Sequence, residues 1–134
     1  MAKLALIPLG VRFDAVRLPD AIVHAAAGSE EPAVVRARLT DYLAGGPVVH
    51  DPRGRRYYAL VPPGTTAGWV SPVVECLGTG TYLGVPPIDF TAFDGRTLSS
   101  YWAVPVAFVG ALCRPADVLA LVMVGGVLGS EDEA

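Results

Sequence analysis

Three arginines and two tyrosines stand close together in the middle of the chain. Arg53, Arg55 and Arg56 supply three of the ten basic residues and are followed directly by Tyr57 and Tyr58. Guanidinium groups bind phosphate oxygens, and aromatic rings stack on nucleobases. The cluster therefore predicts a phosphate-contacting hairpin, whose binding residues are Arg53, Arg55, Arg56 and Tyr58. The alternative is a solvated hairpin tip whose two tyrosines alternate between core and surface.

The histidines and cysteines do not predict a metal site. The chain has two histidines, His24 and His50, and two cysteines, and no group of them has the spacing of zinc ligands. His50 and Asp51 could form a base and its orienting carboxylate, but their position at a turn favours a plain surface pair. No nucleophile elbow or phosphate loop occurs, and Leu83 stands where a dinucleotide-binding pattern needs its third glycine. We therefore expect no metal and no cofactor, and we assign no catalytic residue.

Composition limits the classes of partner. Of the 134 residues, 52% are hydrophobic and 17% are charged, where about 25% charged is typical. The formal net charge is −3, and Glu131, Asp132 and Glu133 contribute −3, which leaves zero for the rest of the chain. A neutral body argues against binding nucleic acid through bulk charge, although a local basic patch is compatible with it.

Length and composition predict one domain, residues 1–130, followed by an acidic disordered tail, residues 131–134. Cys76 and Cys113 are isolated among apolar residues, as buried free thiols of a reducing compartment are. No secretion signal is evident, and the apolar run Val118–Leu128 is well short of the roughly 20 residues that cross a bilayer. We therefore expect a cytoplasmic protein without membrane contact.

Two apolar segments, Gly54–Gly64 and Val74–Pro87, each run into a Pro-Pro pair. Proline cannot donate to a sheet ladder, so each pair is expected to end a strand. Because both segments are apolar on both faces, we expect their strands at the centre of a sheet. The turn Gly78–Thr81 is expected to join Val73–Leu77 and Tyr82–Val85 in a hairpin.

The remaining periodicity completes an α+β pattern. It predicts an edge strand or arm at Leu4–Leu9, a half-buried strand Val11–Arg17, a strand Pro47–His50 and a strand Tyr101–Val106. It predicts a short helix to Ala27, a helix from the N-cap Ser29 to Leu43, and a helix from Pro115 to about Val124. The segments Pro63–Pro72 and Pro87–Ser99 are expected to be loops, the second of them exposed. The expected fold is a small mixed or antiparallel sheet of about five to six strands with two to three helices packed on it.

The last predicted helix is apolar on every side. Val118–Val124 contains seven consecutive apolar residues, which an amphipathic surface helix does not. Either this helix is buried on both sides, or one side forms a subunit interface. In the second case Val118, Leu121 and Val122 contact a second copy in a homodimer, or another protein.

The segment Val74–Pro87 resembles the core motif of the bifunctional DNA primase/polymerase N-terminal domain, of the archaeo-eukaryotic primase superfamily. In that family an acidic residue at a strand leads through a Gly-rich turn to an aromatic residue, a short apolar run and Pro-Pro. Here these positions are held by Glu75, by Gly78 and Gly80, by Tyr82 and by Pro86-Pro87. The resemblance implies an RRM-like, primase–polymerase-like fold.

Three other segments carry weaker similarity to the same family. Asp51–Tyr58 is similar to its hairpin with a Gly-Arg-His sequence, Ser100–Trp102 looks like its following Tyr/Trp strand, and Val11–Pro19 matches the strand with its catalytic acidic pair. The resemblance implies that Arg53, Arg55, Arg56 and Tyr58 face nucleic acid or nucleotide.

The departures from the family concern its catalytic residues. The family's metal-binding acids lie two residues apart, whereas Asp14 has Arg12 before it and Val16 after it. Arg56 replaces the phosphate-contacting histidine, and Leu77 replaces a basic residue. Asp14 and Glu75 remain as residual metal-site positions, and two-metal phosphoryl transfer needs more carboxylates than that. The resemblance therefore implies a degenerate catalytic site.

Three functional hypotheses result. The first is a non-catalytic primase–polymerase-like module that binds single-stranded nucleic acid or nucleotide through the arginine hairpin. The second is a structural or interaction protein that retains only the fold and associates through its apolar C-terminal helix. The third is an enzyme of another type that uses Asp14, Glu75 and His50. The clustered arginines favour the first hypothesis, and the neutral body favours the second.

Overall fold

The computed structural model describes residues 4–133, and within that range the chain forms seven strands and four helices. The strands are β1 (Ala5–Pro8), β2 (Asp14–Pro19), β3 (Val48–Asp51), β4 (Arg56–Val61), β5 (Glu75–Leu77), β6 (Tyr82–Val85) and β7 (Tyr101–Val104). The helices are α1 (Asp20–Ala27), α2 (Pro32–Tyr42), α3 (Thr65–Gly68) and α4 (Pro115–Glu133). The predicted α+β class is confirmed.

The strands form two separate sheets. The main sheet has the order β5-β2-β4-β3-β7, and all of its neighbouring strands are antiparallel. The small sheet consists of β1 and β6, also antiparallel. Side chains alternate between the two faces of the main sheet. Val16 and Leu18 pack in the same core cluster as residues of α1, α2 and α4 on one face, and Ala15 packs with Leu83 of the small sheet on the other. We call these the helix face and the cavity face.

Local sequence explains where the first two helices begin. α1 follows Pro19, whose φ of −58° suits a helix start, and ends at Gly28 with a φ of 70°. α2 has Pro32 at its first turn and Glu31 as N-cap, so the predicted N-cap Ser29 is wrong. The hydroxyl oxygen of Ser29 instead accepts a hydrogen bond from the backbone N–H of Glu31 at 3.0 Å.

The predicted hairpin between β5 and β6 does not form. β5 pairs with β2 at the edge of the main sheet, whereas β6 pairs with β1 in the small sheet. The turn between them closes through hydrogen bonds from Thr81 to the carbonyl oxygen of Gly78, and it carries the chain from one sheet to the other. The expectation of a central strand is correct for β4 and wrong for β5 and β6.

Helix α4 is longer than predicted and passes through Gly125 and Gly126. A Cβ on Gly125 would overlap the carbonyl oxygen of Ile22, so this glycine permits close packing of α4 on α1 and does not end the helix. The predicted contact residues Val118, Leu121 and Val122 are between 0% and 4% exposed and belong to the core. They cannot form the predicted interface, because their side chains are already covered within the chain.

The predicted boundary between a domain and a disordered tail stays a prediction. In the described backbone α4 continues to Glu133, and residue 134 lies outside the described range. None of the helices in residues 4–133 combines the length and the apolar character that crossing a membrane requires.

Candidate functional site

A row of five residues crosses the main sheet on its cavity face. In the strand register Glu75 is opposite Arg17, Arg17 is opposite Tyr58, Tyr58 is opposite Val49, and Val49 is opposite Trp102. Neighbouring strands lie about 4.8 Å apart, so adjacent members of this cross-strand row are within contact distance. Two predicted site residues, Glu75 and Tyr58, therefore lie on one surface with Arg17 between them.

A cavity of about 460 Å³ separates this part of the main sheet from the small sheet. The walls of this inter-sheet cavity combine the cation of Arg17, the hydroxyl groups of tyrosine, serine and threonine, the carboxylate of Asp51 and several apolar side chains. The residues that line it include Arg17, Val49, Tyr58, Thr81, Tyr82 and Ser100. Small-ligand sites typically measure about 300–1,000 Å³, so this cavity can admit a small ligand with one anionic and one flat apolar part.

The hairpin arginines lie in three different environments. Arg53 donates two hydrogen bonds to the carbonyl oxygen of Thr97, from Nε at 3.2 Å and from Nη2 at 2.8 Å. Arg55 occupies the turn with a φ of 56° and an exposed side chain. Arg56 begins β4 and, by strand alternation, shares the cavity face with Tyr58. Of the three, Arg56 is thus the one nearest in register to the cross-strand row.

The two adjacent tyrosines separate as strand alternation requires. Tyr57 is 2% exposed and packs on the helix face, whereas Tyr58 is half-buried and lines the inter-sheet cavity. The alternative prediction, that the two tyrosines alternate between core and surface, describes their geometry correctly. This alternation leaves Tyr58 accessible from the cavity.

Asp14 anchors a loop. Its side chain is 1% exposed, and its Oδ2 atom accepts hydrogen bonds from the backbone N–H groups of Gly64 (3.1 Å) and Thr66 (3.0 Å) and from the Thr66 hydroxyl (2.8 Å). These donors lie at the start of α3, where backbone N–H groups need acceptors. Within the described residues Oδ1 has no hydrogen-bond partner.

The two residual metal-site positions do not converge. Asp14 lies on the helix face beside Thr66 and Cys76, whereas Glu75 lies on the cavity face and pairs with Arg17 at 3.1 Å. Arg56 is opposite Pro19, five residues from Asp14 along β2, which is roughly 17 Å at the rise of a strand. Among residues 4–129, whose side chains the structure describes, no three His, Cys, Asp or Glu side chains are grouped so that they could hold a metal ion.

A second group of titratable residues lies where α1 packs on the helix face of the main sheet, and its members are buried or half-buried. In this histidine–tyrosine cluster the ring of His50 stacks on Tyr57 at 3.8 Å between centroids. Nδ1 of His50 lies 2.8 Å from the Tyr101 hydroxyl and Nε2 lies 3.0 Å from Oδ1 of Asp20. Nε2 of His24 lies 2.9 Å from the Tyr57 hydroxyl. A neutral His50 satisfies both of its contacts when Nε2–H donates to Asp20 and Nδ1 accepts from Tyr101.

The expected surface pair of His50 and Asp51 is therefore wrong. His50 is 5% exposed and pairs with Asp20, whereas Asp51 points to the cavity face, lines the cavity and accepts a hydrogen bond from Gly54 N–H at 3.1 Å. Adjacent residues of a strand face opposite ways, so these two side chains cannot act together.

Burial shifts the pKa of three residues of the histidine–tyrosine cluster, Tyr57, Tyr101 and His24. It raises the pKa of Tyr57 and raises the pKa of Tyr101 to about 12. Burial also lowers the pKa of His24, against the opposing effect of Asp20 and Glu30. Because charged forms are disfavoured on burial, both tyrosines are neutral at physiological pH and His24 is disfavoured as a cation.

The cysteines are buried and unpaired, as expected. Burial raises the pKa of Cys113 to about 12 and also raises the pKa of Cys76. Both thiols are consequently protonated at neutral pH and poor nucleophiles. The reducing compartment that these cysteines indicate stays a prediction.

Arg17 is the site residue that sequence reasoning missed. The alternation of Phe13 and Ala15 continues to position 17, so the pattern places Arg17 on the cavity face. Its neighbours Glu75 and Tyr58 come from distant parts of the chain, and the strand order that joins them cannot be read from local periodicity.

Comparisons of this chain with protein-family models, with curated proteins and with solved structures give no match.

Proposed function

We propose that this chain is a non-catalytic, primase–polymerase-like module that binds single-stranded nucleic acid or a nucleotide on the cavity face of its main sheet. The observation that carries the proposal is the position of Tyr58. It lies beside Arg17 in the cross-strand row, two residues from Arg56 on the same face, and under the inter-sheet cavity. An aromatic ring between two guanidinium groups offers stacking to a base and charge-assisted hydrogen bonds to phosphates.

The non-catalytic part of the proposal rests on the carboxylates. Two-metal phosphoryl transfer needs acidic side chains that hold metal ions about 4 Å apart. Asp14 is engaged with the start of α3 on the helix face, and Glu75 is engaged with Arg17 on the cavity face. We expect no template-dependent nucleotide incorporation with magnesium or manganese. Incorporation that Glu75→Ala abolishes would contradict this part of the proposal.

Binding is tested by fluorescence anisotropy with a labelled single-stranded oligothymidylate, titrated at several salt concentrations. Arg56→Gln should weaken binding and reduce the slope of log affinity against log salt by about 0.7, the value for one phosphate contact on a single strand. Tyr58→Leu should lose the stacking contribution of about 1–3 kcal/mol, whereas Tyr58→Phe should retain it.

The matched control is Arg38→Gln, which removes the same charge from the exposed side of α2 in the helix layer. Its binding should equal that of the parent protein. If the parent does not bind at low salt, or if Arg38→Gln weakens binding as much as Arg56→Gln, the proposal is wrong.

The second candidate function is association with a second copy or another protein through α4. The observation that favours it is an exposed apolar strip on this helix, which the core residues of α4 leave uncovered. The strip comprises Met123 (71% exposed), Val124 (37%), Val127 (60%) and Leu128 (39%). Contiguous apolar surface of this kind is typical of protein interfaces. The predicted homodimer and the predicted cytoplasmic location both stay predictions.

A further inference from the structure

The ion pair between Arg17 and Glu75 lies at the wall of the inter-sheet cavity. The two groups are 3.1 Å apart from Nη2 to Oε1, and their side chains are 29% and 67% exposed. Arg17 lines the cavity, whereas Glu75 is not part of its lining. Glu75 thus pairs with the guanidinium group of Arg17 from outside the cavity lining, at the β5 end of the cross-strand row.

The charges of the cavity favour an anionic group of the ligand at one end. Asp51 is two residues from Val49 along β3, so it lies about 7 Å from the cross-strand row in the strand direction. Its Oδ1 atom already accepts the backbone N–H of Gly54. An anion is therefore attracted to Arg17, whereas at the other end Asp51 is opposite Arg56 in the strand register, so that end carries one charge of each sign. A guanidinium group binds phosphate through two parallel hydrogen bonds.

We infer that a phosphate group of the ligand replaces Glu75 on Arg17, and that Glu75 is an internal competitor that weakens binding. The inference rests on the proposed function and assigns Glu75 a role in regulating the affinity of that site. Exposed ion pairs contribute little to stability, so a phosphate can displace the Glu75 carboxylate readily. The residue at the family's acidic position would then act on Arg17 as a counter-ion.

The experiment measures affinity for two probes, a labelled oligothymidylate and free thymidine monophosphate that competes with it. Glu75→Gln should bind both probes about two- to five-fold more tightly, the range that the loss of an exposed ion pair provides. Glu75→Asp keeps the charge but shortens the side chain, so it should tighten binding in part. Arg17→Gln should weaken binding about ten-fold or more, because charge-assisted hydrogen bonds to phosphate are lost.

Two controls separate these effects from changes in fold and net charge. Glu31→Gln makes the same chemical change at an exposed position beside α2 and should leave both affinities unchanged. Arg17→Lys keeps the charge and most of the stem but cannot bind phosphate through a planar fork, so it should weaken binding even if Arg17→Gln unfolds. Circular dichroism and urea unfolding establish that each variant is folded.

The outcomes are distinct. If Glu75→Gln tightens binding and Glu75→Asp does not, repulsion by the charge alone explains the effect, and displacement is wrong. If Arg56→Gln and Tyr58→Leu weaken binding, but changes at Arg17 do not weaken it and Glu75→Gln does not tighten it, the inference is wrong and the proposed function stands. If neither the oligothymidylate nor thymidine monophosphate binds, both the inference and the proposed function are wrong. Tightening for both probes supports a single nucleotide in the cavity, and tightening for the oligonucleotide alone supports a phosphate of the strand.

Discussion

At the scale of single residues, β2 carries two charged side chains that serve opposite surfaces. Asp14 points to the helix face and accepts three hydrogen bonds from the start of α3. Arg17 points to the cavity face and forms part of the proposed binding surface. A separation of three positions along a strand puts side chains on opposite faces. Substitutions at the two positions should therefore affect different properties, stability at Asp14 and binding at Arg17.

Asp14→Ala should lower the free energy of unfolding by about 2–4 kcal/mol, because it removes a buried charged acceptor of three hydrogen bonds. Asp14→Asn should cost less, since its amide oxygen can still accept. Urea unfolding at neutral pH measures both changes, and Asp89→Ala, which removes an exposed acid from the loop 87–99, serves as control. If Asp14→Ala were as stable as this control, Asp14 would not anchor the loop.

The sequence around a residue predicts the exposure of some side chains but not the distant partners of others. The exposure of Arg55 and Arg56 and the alternation of Tyr57 and Tyr58 follow from a turn and a strand period, which are local properties. The partner of His50 is Asp20, thirty positions away, and no local pattern identifies it. The hydrogen bonds of Asp14 to a loop fifty positions later are equally inaccessible from sequence. Contacts between distant segments depend on strand order, which periodicity does not encode.

At the scale of elements, the glycines of α4 show how one residue type can predict the wrong structure. The sequence predicts that Gly125-Gly126 lies beyond the end of the helix, yet α4 continues through both. Gly125 faces Ile22 of α1 at a distance that excludes a side chain, whereas a Cβ on Gly126 would meet nothing within 4 Å. The packing of α1 on α4 therefore requires glycine at one of these positions and not at the other.

This difference gives a matched pair of variants. Gly125→Ala should lower the free energy of unfolding by about 1–3 kcal/mol, because the added methyl group forces α4 away from α1. Gly126→Ala should raise it by up to about 1 kcal/mol, because alanine has a higher helix propensity than glycine. Thermal and urea unfolding of both variants test the prediction. Equal effects would show that the two helices do not pack closely at Gly125.

The histidine–tyrosine cluster joins α1 to β3, β4 and β7 and should make stability depend on pH. Burial lowers the pKa of His24 below its ordinary value of 6.5, so the unfolded chain binds a proton before the folded protein does. The stabilisation is complete above about pH 6.5 and is lost as the pH falls from there toward the lower pKa of the folded protein.

Urea unfolding of the parent protein and of His24→Gln between pH 7.5 and pH 5 isolates this contribution. The parent should lose more of its free energy of unfolding than the variant does over this range, because the variant lacks the titrating group. Parallel curves for the two proteins would contradict the prediction. Tyr57→Phe, which keeps the ring stacked on His50 but removes the hydroxyl that contacts His24, shows how far the hydrogen bond contributes.

The element pattern also shows where topology could not be predicted. Most strand and helix positions follow from apolar periodicity and from proline and glycine, and the α+β class follows from them. The strand with which each strand pairs does not follow from these local signals. A short glycine-containing turn between two apolar strands usually indicates a hairpin, but here the turn at Gly78–Thr81 packs against Gly10, where a Cβ would overlap the Thr79 hydroxyl. That close contact belongs to the N-terminal segment, far away in the sequence.

At the scale of the whole molecule, the high apolar content has a structural cause. The main sheet is covered on one face by helices and in part on the other by the small sheet, so its strands contribute buried side chains to two core clusters. A sheet that is buried on both faces needs more apolar residues than one that faces solvent. A large core thus accounts for much of the composition without a partner. The exposed strip on α4 is additional to that core.

If the strip on α4 is an interface, the parent protein should sediment as a dimer or a larger assembly, and a charge on the strip should produce a folded monomer. Met123→Glu and Val127→Glu are the informative changes, because both side chains are largely exposed and a charge there should not disturb the core. Val122→Glu is the contrasting change: Val122 is 4% exposed, and an unpaired buried charge should unfold the protein. Sedimentation velocity beside circular dichroism distinguishes the two effects. A parent protein that is monomeric at all concentrations, with Met123→Glu and Val127→Glu unchanged, would show that α4 does not mediate self-association.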